Sequence, residues 1–358
     1  MGVEQPVKLP SLLFRVDGDE SVALGHLRRC ISVAQKIRLE GVSVCFLGHF
    51  DSSGVRLLAS NGFGAVYLQT SPCSPVEAER LVSVARTRGI RRVVIDSYNV
   101  DNFFFQKLRE MGIETFYFED FGEVEWLVDG IINGRVGAEE IPYKARYVMA
   151  GARYSVLPRE FKRIPIKNVG RNVKRILLTL GGIDHYDLSS RIISIFGRSP
   201  NLKDIELNVV IGPYFSNKAE IDTAVTCVDG YCQVKLHQGL SSLVNLMLEC
   251  DIAISAGGTT LTELAVAGVP CIGLALWPNQ IPNVLALASR GALLPIDFQR
   301  CENFDHQLVK FIDQLINDHE LRSEMSTSAR QLIDGNGASR VAHSLLEHLD
   351  PSTFLPRK

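Results

Sequence analysis

Short β-branched runs alternate with stretches of helical spacing along most of the chain, and no other feature narrows the possible folds so far. Strands separated by helices cannot close as tight hairpins; they pair in parallel through crossovers, with helices covering both faces of the sheet. In the first half the strand-like runs are Leu12–Val16, Val42–Leu47, Arg92–Asp96, Glu114–Phe118, Leu127–Ile132 and Arg146–Met149. Between the first two, Leu24, Leu27, Ile31 and Ala34 recur at helical spacing, which predicts an amphipathic helix beginning close to Gly25-His26. Glu77–Arg88 and Asp101–Glu110 read as further crossover helices.

Residues 159–175 break this rhythm, with seven Lys and Arg residues from Arg159 to Arg175 crowded around Pro165 and Gly170, and read as a linker. A second set of strands follows at Arg175–Leu180, Leu207–Ile211, Gln233–Leu236, Asp251–Ser255, Cys271–Leu276 and Leu293–Pro295. Helices are expected at Asp187–Phe196, Leu240–Leu248, Thr260–Ala267, Ile281–Arg290, Phe304–Asn317, Leu321–Asp334 and Ala338–His348. The expectation is an α/β chain of two doubly wound, Rossmann-like domains, 11–158 and 176–348, joined by the 159–175 linker. A length of 358 residues suits two cores, since one core rarely grows past about 250–300 residues. Open parallel sheets bind ligands beyond the carboxyl ends of their strands, so two such domains facing each other would enclose a cleft there.

Charge narrows the ligands. Lys and Arg total 38 against 40 Asp and Glu, a net charge of −2, so no basic field draws the chain to nucleic acid or anionic lipid. The sequence has no apolar run approaching the roughly 18 residues that span a bilayer, and its start lacks the order of a signal peptide. Met1-Gly2 is followed by Pro6 where a myristoylation signal needs Ser or Thr, and the expected location is the cytoplasm. The eight cysteines are scattered, without a C-x-x-C pair, and read as reduced core residues with no zinc site.

The strongest local signal is Ser255-Ala256-Gly257-Gly258-Thr259-Thr260-Leu261-Thr262-Glu263, between a buried strand and a helix. Glycines let the backbone approach a phosphate, Thr259 or Thr260 can cap the helix, and the N–H groups at its start favour an anion. Glu263 lies roughly 6 Å further along the axis at 1.5 Å per residue, a plausible reach from a diphosphate to ribose hydroxyls. A plain Gly turn with a Thr cap and an exposed Glu would have the same sequence. No Walker lysine follows, and G-x-G-x-x-G is absent, which removes the ATPase and NAD readings. Gly181-Gly182 ends the first strand of the second half and can add backbone donors, or serve only as a connection.

In the first half, Arg15-Val16-Asp17 ends one strand, and Gly25-His26-Leu27-Arg28-Arg29 starts the next helix. A helix N-terminus disfavours an imidazolium, which suits His26 to the work of a general base; a surface or capping histidine is the competing reading. Asp96-Ser97-Tyr98 ends a further strand at the same edge, where Tyr98 can donate a hydrogen bond while stacking on a sugar, or simply sit half-buried. The remaining histidines, His49 among them, have no ligand spacing and read as surface or loop residues.

Together these residues resemble known families. Gly257-Gly258-Thr259-Thr260-Leu261-Thr262-Glu263-Leu264, Ala267-Gly268-Val269-Pro270 and Asn279-Gln280 resemble the nucleotide-sugar half of GT-B proteins such as the peptidoglycan N-acetylglucosaminyltransferase. Arg15-x-Asp17, Gly25-His26-Leu27-x-Arg29, Asp96-x-Tyr98, the run Gly151 to Phe161 and Gly181-Gly182-x-Asp184 look more narrowly like the UDP-2,4-diacetamido-2,4,6-trideoxy-β-L-altropyranose hydrolase of pseudaminic acid biosynthesis. The related spore-coat polysaccharide proteins share that pattern. The resemblance implies a GT-B fold and a hydrolase needing neither cofactor nor metal, which releases UDP from a UDP-sugar by inverting attack of water. It assigns His26 as base, Tyr98 as its aromatic partner and Glu263 as the ribose-binding carboxylate. Arg15, Asp17, Gly25, Arg29, Gly181, Gly182, Gly257, Gly258, Thr259, Thr260, Asn279 and Gln280 complete the expected binding set.

The chain departs from the pattern at Ala23, where the family has its first glycine, and at Glu119-Asp120, where it has paired aspartates. Two rivals share these residues: a GT-B glycosyltransferase using the same donor, and a binding protein that has lost catalysis.

Overall fold

The computed structural model describes residues 11–22, 24–240 and 242–347, excepting the side chain of Arg163. Ala23, the Met1-Gly2 and Pro6 positions and His348 lie outside the described residues.

The chain forms two compact units: one of residues up to Pro158 together with those from Asn336 onward, the other Arg159–Gly335. The first unit contains β1 (Ser11–Val16), α1 (Gly25–Leu39), β2 (Ser43–Gly48), α2 (Ser52–Ser60), β3 (Ala65–Tyr67), α3 (Pro75–Arg88), β4 (Arg92–Asp96), α4 (Asn102–Glu110), β5 (Glu114–Phe118), β6 (Gly130–Asn133) and β7 (Tyr147–Ala150). All seven strands are parallel, in the order β3-β2-β1-β4-β5-β6-β7. The central strands are buried on both faces, as crossover helices require, so they read as mostly apolar runs in which a charge such as Arg15 or Asp96 stands out.

The second unit contains β8 (Arg175–Thr179), α5 (Leu188–Arg198), β9 (Glu206–Ile211), α6 (Lys218–Val228), β10 (Gln233–Gln238), α7 (Val244–Glu249), β11 (Ile252–Ala256), α8 (Thr259–Ala267), β12 (Cys271–Ala275), α9 (Ile281–Ser289), β13 (Leu294–Asp297), α10 (Phe304–Asn317) and α11 (His319–Leu332). Its order, β10-β9-β8-β11-β12-β13, repeats that of the first six strands of the other sheet. In each sheet the winding reverses between two central strands, β1 and β4 or β8 and β11, and ligand sites of open α/β sheets form outside the carboxyl ends of such a pair. Register aligns these ends: Val16 lies beside Asp96, and Thr179 beside Ser255.

Two features depart from the sequence reading. Residues 159–175 belong to the second unit and are held there: buried Arg322 donates to Gly170 O and Arg171 O, both at 2.7 Å, and Lys167 Nζ to Leu248 O at 2.7 Å. The last helix among the described residues, α12 (Gly337–Leu346), which chain order assigns to the second domain, packs on α1 of the first unit. Its apolar face (Ala338, Val341, Ala342, Leu345) is buried there; Arg92 donates to Leu345 O, and Arg340 to Arg153 O at 2.8 Å.

Candidate active site

Alternation along β1 and β4 sends two sets of charged side chains to opposite faces of the first sheet. Leu13 shares a face of β1 with Arg15, and Arg15 meets α3; Val94 shares the other face of β4 with Asp96, and Asp96 meets α1. Both charges sit inside otherwise apolar strands and are buried, at 0% and 1% exposure, so each must be paired.

On the α3 face, Arg15 Nε donates to Glu77 Oε1 at 2.6 Å and Nη1 to Asp17 Oδ2 at 2.5 Å. Burial works against the guanidinium charge, but Glu77 and Asp17 outweigh it and hold the group protonated. Burial alone would likewise raise Asp17; the Arg15 charge and the His49 N–H keep its carboxyl below the usual range. Arg15 therefore braces the strand end and presents no face to a ligand. His49, read from sequence as a surface or loop residue, is half-buried here: its N–H reaches Asp17 Oδ1 at 2.9 Å and its Nε2 lies 2.8 Å from Thr70 O.

On the α1 face the groups converge around His26. Its Nδ1 lies 2.5 Å from Asp96 Oδ1 and 3.1 Å from Arg29 Nη2. An arginine N–H and an ionised carboxylate cannot both be served by one nitrogen. Since Asp96 only accepts, the shorter contact requires a proton on Nδ1, which assigns the acceptor lone pair to Nε2 and makes the Arg29 contact mere proximity. Asp96 would be raised by burial, but the charge of Arg29, and next the adjoining His26, hold it well below the usual carboxylate range.

Arg29 grips Asp96 with Nε and Nη2, both at 2.6 Å, and Asp120 with Nη1 at 2.9 Å and Nη2 at 2.8 Å. Tyr98 OH donates to Asp120 Oδ2 at 2.9 Å, and its ring meets that of His26 edge-on, centroids 4.5 Å apart. Partial burial and then the Asp120 charge push the Tyr98 phenol up, so it remains a neutral donor. No side chain caps α1, and no acidic residue lies in its first turn, so the N–H groups beside His26 are left to other acceptors.

In the second unit the loop after β11 offers backbone in place of charged side chains. The N-cap of α8 is Gly258, not Thr259 or Thr260 as the sequence suggested, and no side chain caps it. Gly258 has its backbone in the β region, which leaves both threonines inside the first turn. A Cβ on Gly258 would meet nothing within 4 Å, whereas one on Gly257 would come to 2.8 Å from Gln280 Cβ and Val284. Gly257 is therefore required by packing, and Gly258 keeps the helix start open. Gln280 spends its side-chain oxygen on Gly257 N at 3.3 Å and Leu276 N at 3.0 Å, tying two loops together. Gly181 takes φ +86°, a left-handed conformation natural to glycine, and Asp184 caps α5 through the N–H groups of Leu188 and Ser189.

Glu263, on α8, and Asn279, in the turn after β12, are both half-buried. Sequence reasoning missed the aromatic corner here. His185, from the loop after β8, and Trp277, from the loop after β12, bring their rings to 5.5 Å, with Tyr186 5.5 Å from Trp277. The two loops that meet in this pair follow β8 and β12, the strands on either side of β11, which leads into Gly257-Gly258. Trp277 is 41% exposed.

Among the described residues no group of three or more His, Cys, Asp or Glu is placed to hold a metal ion, and no helix is long and apolar enough to cross a membrane. All eight cysteines are free thiols.

No protein-family model matches the chain. It is 23% identical over 348 residues to an uncharacterized protein of Methanocaldococcus jannaschii, covering 89% of this chain and 69% of that one. With the spore coat polysaccharide biosynthesis protein SpsG of Bacillus subtilis it shares 26% identity over 171 residues, and this match spans only about half of each protein, 48% and 49%. Among solved structures, a putative UDP-N-acetylglucosamine 2-epimerase from Listeria monocytogenes superposes with TM-score 0.70 at 14% identity, over 95% of this chain and 96% of that one. The UDP-GlcNAc 2-epimerase from Neisseria meningitidis bound to UDP-GlcNAc gives 0.65 at 12%, over 94% and 100%. A glycosyltransferase from Rickettsia africae gives 0.62 at 12%, over 95% and 100%. At such identities the likeness establishes fold: the chain is built of two Rossmann-like parallel-sheet units of the GT-B class.

Proposed function

We propose that this chain is a cytoplasmic nucleotide-sugar hydrolase, which releases UDP from a UDP-linked diacetamido-trideoxy sugar by inverting attack of water at the anomeric carbon, without a metal ion. The observation that carries the reading is the His26–Asp96 pair at the carboxyl edge of the first sheet, whose 2.5 Å contact leaves Nε2 as the basic nitrogen. In this reading Nε2 takes a proton from water as the water oxygen bonds to the anomeric carbon. The bond from that carbon to the β-phosphate oxygen breaks, and its electron pair departs with UDP. The imidazolium that forms is stabilised by Asp96, as a base needs while it holds the proton.

The second unit takes the UDP. The open start of α8 and the Gly181-Gly182 turn receive the diphosphate, Glu263 the ribose hydroxyls, and Asn279 the sugar. Charge developing on the leaving oxygen is met by the positive end of a helix and its N–H groups, so no cation is needed. The Neisseria neighbour bound to UDP-GlcNAc and the name of the Bacillus relative support the substrate class. The particular sugar, and a place in pseudaminic acid biosynthesis, rest on the sequence motifs.

A transferase is the second reading, favoured by the Rickettsia likeness: the same pair would deprotonate an acceptor hydroxyl. Incubation of the protein with UDP-sugars alone, in ¹⁸O-labelled water with chelator present, tests both readings. The expected products are free sugar and unlabelled UDP, formed at the same rate with or without chelator. UDP that appears only after an acceptor is added assigns a transferase, and an isomerised nucleotide sugar without UDP assigns an epimerase. Label in the β-phosphate means attack at phosphorus and overturns the role of His26.

A further inference from the structure

Asp96 alone is a weak support for an imidazolium on His26, because both its oxygens are already held by Arg29, Nε on Oδ2 and Nη2 on Oδ1, each at 2.6 Å. A carboxylate paired two-pronged with a guanidinium has its charge cancelled at short range. The Arg29 charge is in turn shared with Asp120, through Nη1 at 2.9 Å and Nη2 at 2.8 Å. One cation between two carboxylates leaves the cluster with a net charge of −1, and it is the second carboxylate that makes it negative.

We infer that Asp120 is a positioning residue and the decisive counter-charge for the base: it occupies Arg29 so that Asp96 remains effective on His26, and it fixes Tyr98 against the imidazole. This rests on the reading of His26 as the base, and goes beyond it by assigning a residue that does not touch the ring. The groups that meet His26 are Arg29 on α1 and Asp96 and Tyr98 at the end of β4, and two more join them at one remove, Cys30 through Asp96 and Asp120, after β5, through Arg29 and Tyr98. Of these, Cys30 donates to Asp96 Oδ2 at 3.4 Å and carries no charge, since burial, then Asp96, push its thiol far up. Tyr98 is neutral as well, so the field at His26 is that of Asp96, Arg29 and Asp120. Of the two carboxylates, Asp96 is sealed while the Asp120 side chain keeps 23% of its surface, which places Asp120 at the wet rim of the cluster.

Removing the charge at Asp120 leaves Arg29 to neutralise Asp96 fully and makes a proton on His26 less favourable. In Asp120→Asn and Asp120→Ala the titration of the His26 ring, followed by NMR of ¹³C-labelled histidine and assigned by its absence in His26→Gln, should move to lower pH by about one unit, the low end for loss of an opposite charge nearby. The acid limb of the pH profile of UDP release should move the same way, with kcat lowered several-fold, up to about tenfold for a one-unit shift in the base, and KM little changed. Asp120→Glu, which keeps the charge, should restore the titration, and Tyr98→Phe, which removes only a hydroxyl, should leave it in place. A folded charge-removing variant with the wild-type His26 titration and pH profile overturns the inference; either variant suffices if the other does not fold. The two readings fail separately: turnover retained in His26→Gln removes the base itself, whereas an inactive His26→Gln beside an unshifted Asp120→Asn removes only the role of Asp120.

Discussion

The two sheets share one strand order, yet their carboxyl edges carry opposite chemistry. At the β1/β4 edge three carboxylates, two arginines and a histidine, Asp17, Asp96, Asp120, Arg15, Arg29 and His26, are fixed by short hydrogen bonds. At the β8/β11 edge the strands run into the glycine pairs Gly181-Gly182 and Gly257-Gly258, with an open helix start and an aromatic corner, and the carboxylate of Asp184 is spent on capping α5. A parallel sheet thus supplies a place, and the residues just past its strand ends decide whether that place handles protons or holds an anion.

The sharpest test of this division is His26→Gln. It should lower kcat by about 10²–10⁴-fold, the usual contribution of a general base, while UDP affinity measured by calorimetry stays unchanged. A large loss of UDP affinity would erase the contrast between the edges. Glu263→Ala is the mirror experiment: loss of hydrogen bonds to a charged group should weaken UDP binding by about 1.5–3 kcal/mol, roughly 10–150-fold. Unchanged affinity in a folded variant would take Glu263 out of the nucleotide site.

Acid should separate the units as well. Asp96 and Asp17 ionise at lower pH folded than unfolded, because Arg29 and Arg15 outweigh the effect of burial. The stability they contribute is complete above the unfolded carboxylate value of about 4, and is lost as pH falls from there toward the folded values. In the second unit Glu206 is held low too, chiefly by a Lys235 hydrogen bond against burial, but it is one carboxylate against two. The chain has two tryptophans, Trp126 in the first unit and Trp277 in the second, so single-tryptophan variants report each separately. The Trp126 signal should change at higher pH than that of Trp277, and coincident transitions would mean that the units unfold as one. The smallest expected effect is that of Trp277→Ala: loss of ring packing should cost about 0.5–1.5 kcal/mol of nucleotide-sugar affinity, read by competition binding, with kcat within a few-fold of wild type.

Much of this was legible in sequence because parallel strands buried on both faces announce themselves as apolar runs, and the residues after each run then stand at the ligand edge. Most strands begin within a residue or two of their predicted positions; the run at Leu127 starts late, at Gly130. What escaped was short or weakly patterned. β3 is three residues long, α2 opens Ser52-Ser53-Gly54, and α6 buries only Ile221, Ala224 and Val228. Partners far apart in sequence were also invisible. Ser74-x-x-Glu77 has the form of a reciprocal helix cap, and Ser74 does accept the Glu77 N–H, but the Glu77 carboxylate turns to Arg15, sixty-two residues away, and to Cys73 N. Likewise, Asp120 stood out only as a departure from a family pattern, with nothing near it in sequence to show that Arg29 and Tyr98 converge there.

The return of α12 to the first unit has a consequence for the order in which the protein is made. Residues Arg159–Gly335 form an insertion within the first unit, complete with their own sheet, whereas residues 11–158 leave the synthesis machinery lacking the helix that covers α1 and the carbonyl that receives Arg92. Domains generally fold as units during synthesis, the N-terminal one first. Here the first sheet to emerge is the last to be finished, and it waits for α12 to reach it.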